Sequence, residues 1–265
     1  MRNNKSLGQH WLKNRAILDE IADLAAWGVD EASAYENSAL TEVKAEKMPL
    51  CVEIGPGLGF LTSSLLRRFD KVIAVEFDSE LARKLPGSFP GTGLEVVSGD
   101  ILEYDFAGLS EPYVVAGNIP YYITSPIIEK VLTLSVLPER VVLLIQKEVA
   151  ERILSGRETM LSLFVKNRAT VTAGPVVLRS EFTPPPKVDS AVLVLEPHAP
   201  VVDDEVFGLI RRGFSSPRKK LAHNLTGVKS TEELKRVLAS VGISPDARPG
   251  ELHLDDWEKL YDFLV

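Results

Sequence analysis

The sequence predicts an α/β fold built on a parallel sheet and followed by a small all-helical domain. Three observations predict it. Five short runs rich in β-branched residues, LCVEI (50–54), KVIAVE (71–76), LEVVS (94–98), YVVAGN (113–118) and RVVLLI (140–145), are separated by stretches of helical character. Strands that alternate with helices form parallel sheets through right-handed crossovers. The first strand leads directly into a glycine-rich turn, and from about residue 200 the strand pattern stops. A chain of 265 residues exceeds the usual domain size of roughly 100–150, so a large domain over 1–198 and a small one over 199–265 are expected.

Taken in order, residues 1–18 form a basic arm leading into an N-terminal helix, and the polar, weakly patterned segment 28–48 reads as a loop or insertion before the first strand. Helices are expected at FLTSSLLRRF (60–69), SELARKL (79–85) and SPIIEKVLTL (125–134). The last has Thr124 or Ser125 as its expected cap and Pro126 in its first turn, where the missing N–H costs nothing. Two more strands, around TVTAG (170–174) and SAVLVLE (190–196), flank the proline-rich TPPPKVD. Beyond them, segments at 203–214, 216–225, 230–242 and 254–264 read as amphipathic helices with Asp or Ser caps.

Composition narrows the classes. The one cysteine, Cys51, excludes an intrachain disulfide framework and a thiolate-rich metal site, and no metal is expected. No apolar run approaches the ~18–20 residues of a membrane span, and the N-terminus lacks the apolar core of a secretory signal, so a cytoplasmic location is expected. Net charge is −7, yet it is unevenly spread. Residues 1–18 carry Arg2, Lys5, Lys13 and Arg15 with no acid, and residues 205–225 carry Arg211, Arg212, Arg218, Lys219 and Lys220 against Glu205 alone. Screening over about 8–10 Å lets such clusters attract phosphate on an acidic protein, although a charged, solvated helix face would look the same.

Ligands of parallel sheets sit at the carboxyl ends of the strands, and four motifs fall there. Glu53-Ile54-Gly55-Pro56-Gly57-Leu58-Gly59 follows the first strand. A dinucleotide fingerprint would place its third glycine at position 60, which is Phe60. The spacing G-x-G-x-G is instead the one associated with S-adenosylmethionine, with Gly55 and Gly57 letting the ligand lie against the main chain. An ordinary strand–helix turn remains open on this motif alone. Glu76 ends the second strand, where an acid can accept both hydrogen bonds of a ribose diol; a lone acid there can also be merely solvated. Asp100 follows the third strand and could accept from the exocyclic amine of a bound adenine, or simply shape a turn. Asn118-Ile119-Pro120-Tyr121 follows the fourth, and a plain turn accounts for it poorly. An aromatic amine is a weak nucleophile because its lone pair is delocalised. The Asn118 side-chain carbonyl and a main-chain carbonyl such as that of Ile119 can accept both amine hydrogens and favour a pyramidal nitrogen. Tyr121 can stack on a flipped base.

In order and spacing, these motifs resemble the ribosomal RNA adenine dimethyltransferases, and among them the small-subunit (16S rRNA) adenine N6-dimethyltransferase family. The resemblance spans nearly the whole chain: GQHWL (8–12), EIGPGLGFLT (53–62), VEFD (75–78), GDIL (99–102), NIPYYIT (118–124), QKEVAERI (146–153), FTPPPKVDSAV (182–192) and RRGFSSPRKKLAHNL (211–225). It implies a Rossmann-like S-adenosylmethionine-dependent methyltransferase domain and a helical rRNA-binding domain. Cofactor contacts would fall on His10, Leu12, Gly55, Glu76, Asp100 and Asn118, with the arm closing over the methionine end. Asn118 and Tyr121 would hold the target adenine and Phe182 would stack on its other face. Arg211, Arg212, Arg218, Lys219 and Lys220 would hold RNA phosphates. The implied activity is dimethylation of two adjacent adenines near the 3′ end of 16S rRNA, within the immature small subunit, by a monomer that meets no membrane. Two alternatives remain: a 23S rRNA adenine methyltransferase of the erythromycin-resistance type, and a small-subunit assembly factor acting mainly by binding.

Overall fold

A computed structural model describes residues 9–37, 47–109 and 112–264, with 28–37 described as backbone only. The chain divides into two compact units, Met1–Ala150 with Thr170–Pro197, and Glu151–Ala169 with His198–Val265. In chain order the elements are β1 (Trp11–Leu12), α1 (Arg15–Asn37), β2 (Met48–Ile54), α2 (Phe60–Leu65), β3 (Phe69–Glu76), α3 (Ser79–Lys84), β4 (Leu94–Ser98) and β5 (Tyr113–Asn118). There follow α4 (Thr124–Val131), β6 (Arg140–Gln146), α5 (Lys147–Leu154), α6 (Met160–Arg168), β7 (Ala169–Val177), β8 (Phe182–Thr183) and β9 (Ser190–Pro197). Four helices complete the chain: α7 (Asp204–Gly213), α8 (Leu221–Asn224), α9 (Thr231–Ser240) and α10 (Leu254–Leu264).

The first unit is organised by a seven-stranded sheet of order β4-β3-β2-β5-β6-β9-β7. Strands β4 through β6 pair in parallel, and β9 runs antiparallel to β6. The order reverses between β2 and β5, which opens a crevice beyond their carboxyl ends. Interior strands of such a sheet are covered on both faces, which is why LCVEI, VIAV and VVLLI read as nearly unbroken apolar runs. On one face, Leu18, Ile21, Ala22 and Ala25 of α1 join a core with Val114, Ala116, Val142, Leu144, Val192 and Val194. Each large aliphatic side chain buried there contributes about 1.5–3 kcal/mol. No helix among the described residues is long and apolar enough to cross a membrane.

Several boundaries differ from expectation, each for a local reason. α1 continues to Asn37, so much of the segment expected to be a loop is helix; residues 38–46 lie outside the described residues. α2 stops at Leu65 because Arg68 N–H turns back to the Leu65 carbonyl and Phe69 already begins β3. α4 begins at Thr124 without a side-chain cap, since the Thr124 hydroxyl donates to the Tyr121 carbonyl at 3.1 Å. The helix expected over 216–225 is reduced to α8, because the Asn224 amide holds the carbonyls of Gly213 and Ser216 in an open loop.

The second unit departs from the continuous 1–198 and 199–265 division by including residues 151–169. The Glu158 side chain explains the attachment. It is 1% exposed and accepts from Lys166 Nζ at 2.6 Å and Ser162 Oγ at 2.7 Å, with His253 Nδ1 at 3.0 Å. Its own N–H donates to the Gly250 carbonyl at 2.9 Å. Nearby, buried Asn167 exchanges two hydrogen bonds with the main chain of Val202. α7 is capped by Asp203, and α9 by a reciprocal Ser230–Glu233 capping box. Trp257 is fully buried against Gly213, where a Cβ would lie 2.2 Å from the indole.

Burial opposes ionisation of Glu158, but Lys166, Ser162 and His253 outweigh it and hold the carboxyl below the usual range. Its contribution is therefore present above an unfolded value of about 4.3 and is lost as pH falls through the depressed folded value. Glu158→Gln should lower stability by about 1–3 kcal/mol at neutral pH, and the difference from the unsubstituted protein should vanish under strongly acid conditions. Urea midpoints of both proteins across that range check this.

Candidate active site

A cavity of about 220 Å³ opens over the carboxyl ends of β2 to β5. Its walls are the turn after β2, Glu76 and Phe77 after β3, Gly99 to Leu102 after β4, and Asn118 to Ile123 after β5, with Gln9 to Leu12 of the arm across it. His10, Leu12, Gly55, Gly57, Glu76, Asp100, Asn118 and Tyr121, expected from the sequence to form one site, all line it.

The floor is set by backbone conformation. Gly55 and Gly57 have φ of 64° and 57°, which L side chains rarely adopt. A Cβ on Gly57 would also lie 3.3 Å from Trp11 Nε1, so the glycine admits the arm as well as the turn. Glu76, 5% exposed, accepts from Gly57 N–H at 2.9 Å through one carboxylate oxygen and from Asp78 N–H at 2.8 Å through the other. Each oxygen retains a second lone pair for a ligand hydroxyl. Asp100 accepts from Leu102 N–H through Oδ1 at 2.9 Å, and its Oδ2 has no partner among the described residues.

The arm forms the opposite wall. β1 pairs antiparallel with β8, Trp11 opposite Thr183 and Leu12 opposite Phe182. His10 Nδ1 lies 2.8 Å from the Pro184 carbonyl, so this nitrogen carries the proton, and Asn14 donates to Glu181 at 2.8 Å. Asn118 Nδ2 donates to the His10 carbonyl at 3.0 Å. That bond orients the Asn118 amide and leaves its Oδ1 as an acceptor. The Tyr121 hydroxyl pairs with buried Ser190 Oγ at 2.7 Å, and its ring lies 6.1 Å from the His10 ring at an interplanar angle of 21°. Burial raises the Tyr121 phenol pKa, the Asp189 charge adds to the rise and Ser190 opposes it, so the phenol stays neutral.

Phe182 is not brought to the cavity. It is 3% exposed and packs in the core with Val177 and Val192, because pairing of β8 with β1 turns its side chain inward. The ring that faces Tyr121 is His10. In the second unit, Arg211, Arg212, Arg218, Lys219 and Lys220 are all exposed. Arg211 lies over the Phe207 ring, Lys220 pairs with Asp246 at 2.7 Å, and Arg212 and Arg218 have no ion pair among the described residues. Lys13 is exposed and Arg15 pairs with Asp19, whereas Arg2 and Lys5 lie outside the described residues.

The arrangement suits a ligand with a ribose, an exocyclic amine and a charged polar end. The family model described as "Ribosomal RNA adenine dimethylase" matches residues 1–265. The chain belongs to that family. A ribosomal RNA small subunit methyltransferase A from Synechococcus sp. (strain JA-3-3Ab) is 36% identical over 98% of this dimethylase-family chain and 92% of its own length. A dimethyladenosine transferase from Plasmodium falciparum is 30% identical with a TM-score of 0.74, over 95% of this chain and 96% of that one. A 23S rRNA methyltransferase, ErmE, shares the fold at a TM-score of 0.73 and 24% identity, over 96% of this chain and 99% of that one.

The dimethylase cavity contains polar groups not singled out from the sequence. Glu53 is 1% exposed, its Oε2 lacks a hydrogen-bond partner, and so does the buried Trp11 Nε1. An acid inside the apolar run LCVEI was the available signal for Glu53. Such orphaned atoms in a ligand cavity fit a polar ligand better than an apolar one. Phe77, 63% exposed beside Glu76, offers an aromatic face that no sequence pattern announced.

Burial pushes the Glu53 carboxyl up to about 8, with the Glu76 charge adding to the rise and Thr62 opposing it. A raised folded value means that the Glu53 contribution to stability is fully present below about pH 4.3 and is lost as pH rises through about 8. Glu53→Gln removes this dependence, so its melting temperature without ligand should gain on that of the unsubstituted protein from acid to alkaline pH. Thermal scans across this range check the sign.

Proposed function

We propose that this chain transfers methyl groups from S-adenosylmethionine to N6 of two adjacent adenines near the 3′ end of 16S rRNA, within the immature small subunit in the cytoplasm, and that it acts as a monomer. Membership of the adenine dimethylase family and the small-subunit relatives support the reaction class. The observation that carries the mechanism is the Asn118 amide, whose Nδ2 bond to the His10 carbonyl leaves Oδ1 as the acceptor in the cavity.

Glu76 would hold the ribose hydroxyls of the cofactor, Asp100 Oδ2 would accept from its adenine amine, and Phe77 and buried Ile101 would supply apolar surface for the adenine. Gly55 and Gly57 would let its tail lie on the main chain, with His10, Leu12 and Glu53 lining that part of the cavity. When bound, S-adenosylmethionine would supply an electrophilic methyl group whose bond to the sulfonium breaks as the new N–C bond forms, leaving the neutral thioether S-adenosylhomocysteine. Asn118 Oδ1 and the Ile119 main-chain carbonyl accept the two hydrogens of the target amine, concentrating its lone pair on nitrogen. Tyr121 stacks on the extruded base, and its neutral phenol is no proton acceptor. None is required, since the methylated nitrogen is cationic and releases its proton readily. Orientation and exclusion of water account for most of the acceleration. Arg211, Arg212, Arg218, Lys219 and Lys220 hold phosphates, which gives affinity without sequence information, Lys220 less so while paired with Asp246.

Tritiated methyl transfer to unmethylated small subunits, with large subunits and free 23S rRNA in parallel, tests the reading. Dimethyladenosine at adjacent 16S adenines is the expected product; label on 23S rRNA alone would move the substrate to the large subunit. Asn118→Ala should lower kcat by a factor on the order of 100 or more, as removal of a preorganised polar contact to the reacting group does, with subunit binding retained. Subunit maturation undiminished by that variant would favour a binding factor. Glu76→Gln should weaken S-adenosylmethionine and S-adenosylhomocysteine alike, by about tenfold or more, because it loses an acceptor and faces two main-chain N–H groups with an amide. Calorimetric titration of both ligands checks this.

A further inference from the structure

We propose that Tyr122 is a stacking platform for the RNA base next to the adenine being methylated, an inference that rests on the rRNA methyltransferase reading above. Tyr122 lines the cavity and is 65% exposed. Its neighbour Tyr121 is assigned above to the target base itself, with its hydroxyl held by Ser190. Tyr122 has no hydrogen bond, ion pair or ring contact among the described residues, and most of its surface is open to water. The backbone that presents it is nevertheless rigid. It lies in the 3-10 turn Tyr121–Ile123, where Ile123 N–H donates to the Pro120 carbonyl at 3.2 Å and buried Thr124 donates through its hydroxyl to the Tyr121 carbonyl at 3.1 Å. An open aromatic ring on a fixed turn binds without a large loss of side-chain freedom, which suits it to recognition.

Extruding an adenine into the cavity costs its flanking base a stacking partner. An aromatic ring at the cavity rim restores that stack, and such stacking tolerates any base because every base has a π-face. This tolerance matters for two adjacent acceptors. When the strand advances by one nucleotide to bring the second adenine into the cavity, the base that rests on Tyr122 changes with it, and the platform serves both rounds. Phe77, the other strongly exposed ring of the cavity, stands beside Glu76 on the ribose-binding side, whereas Tyr122 directly follows the Asn118–Tyr121 segment that receives the target base.

The test compares Tyr122→Ala and Tyr122→Phe with the unsubstituted protein in methyl transfer to unmethylated small subunits, alongside calorimetric S-adenosylmethionine binding. Tyr122→Ala should raise KM for the subunit on the order of tenfold, from the loss of one base stack, while kcat and cofactor Kd hold. Tyr122→Phe should behave as the unsubstituted protein, since the hydroxyl has no partner. In an RNA fragment carrying 2-aminopurine beside the acceptor adenine, the unsubstituted protein should quench the probe and Tyr122→Ala should not. An unchanged KM in Tyr122→Ala, or a cofactor Kd that rises in step with KM, would overturn the inference; the second result would make Tyr122 part of the cofactor wall. Failure of the unsubstituted protein to methylate any rRNA would remove the proposed function and this inference together.

Discussion

The Glu76 carboxylate is the constraint on which the cavity depends. It ends β3 yet accepts from Gly57 N–H in the turn after β2, and from Asp78 N–H at the cap of α3. One buried side chain thereby fixes the spacing of two neighbouring strand ends and the entry into a helix. Its burial raises its pKa, and the main-chain N–H groups of Asp78, Gly57 and Phe77 oppose that rise. The glycine turn alone would have many conformations, because glycine is permissive. Glu76 selects one of them, in which the main chain at Gly55 is bare enough for a ligand to lie on.

The opposite wall is governed by polar contacts with the arm. Asn118, at the end of β5, holds the His10 carbonyl, while His10 and Asn14 reach the carbonyl of Pro184 and the carboxylate of Glu181. The acceptor that chemistry requires is thus oriented by a residue more than a hundred positions earlier in the chain. Core packing supports this from beneath: Leu12 and Phe182 face each other across the β1–β8 pair and both enter the apolar core. The same pairing that secures the arm keeps the Phe182 ring away from the cavity.

Much of this was legible in the residues. Apolar, β-branched runs mark β2, β3, β5 and β6 because both their faces are buried, and the chemistry-bearing loops are recognisable because each follows such a run. What stayed hidden depends on tertiary contact. A two-residue pair such as β1 with β8 has no periodicity to read. The inward turn of Phe182 follows from that pairing, and not from its neighbours in sequence. Residues 151–169 look like a continuation of the first domain until Glu158 is seen to meet His253 and its N–H the Gly250 carbonyl. Likewise, Thr124 has the composition of a cap but spends its hydroxyl on the Tyr121 carbonyl, a choice that only the preceding turn dictates.

The long reach of the arm also has a consequence for synthesis. His10 and Pro184 are 174 positions apart, and His10 and Asn118 are separated by 108. A chain emerging from the ribosome exposes the arm well before the residues on which it docks. The strand ends around Glu76 and Asp100 can assemble on a partial chain, but the wall opposite them waits for the 181–184 segment. The floor of the ligand cavity is therefore encoded ahead of the contacts that close its roof, which need the 181–184 segment.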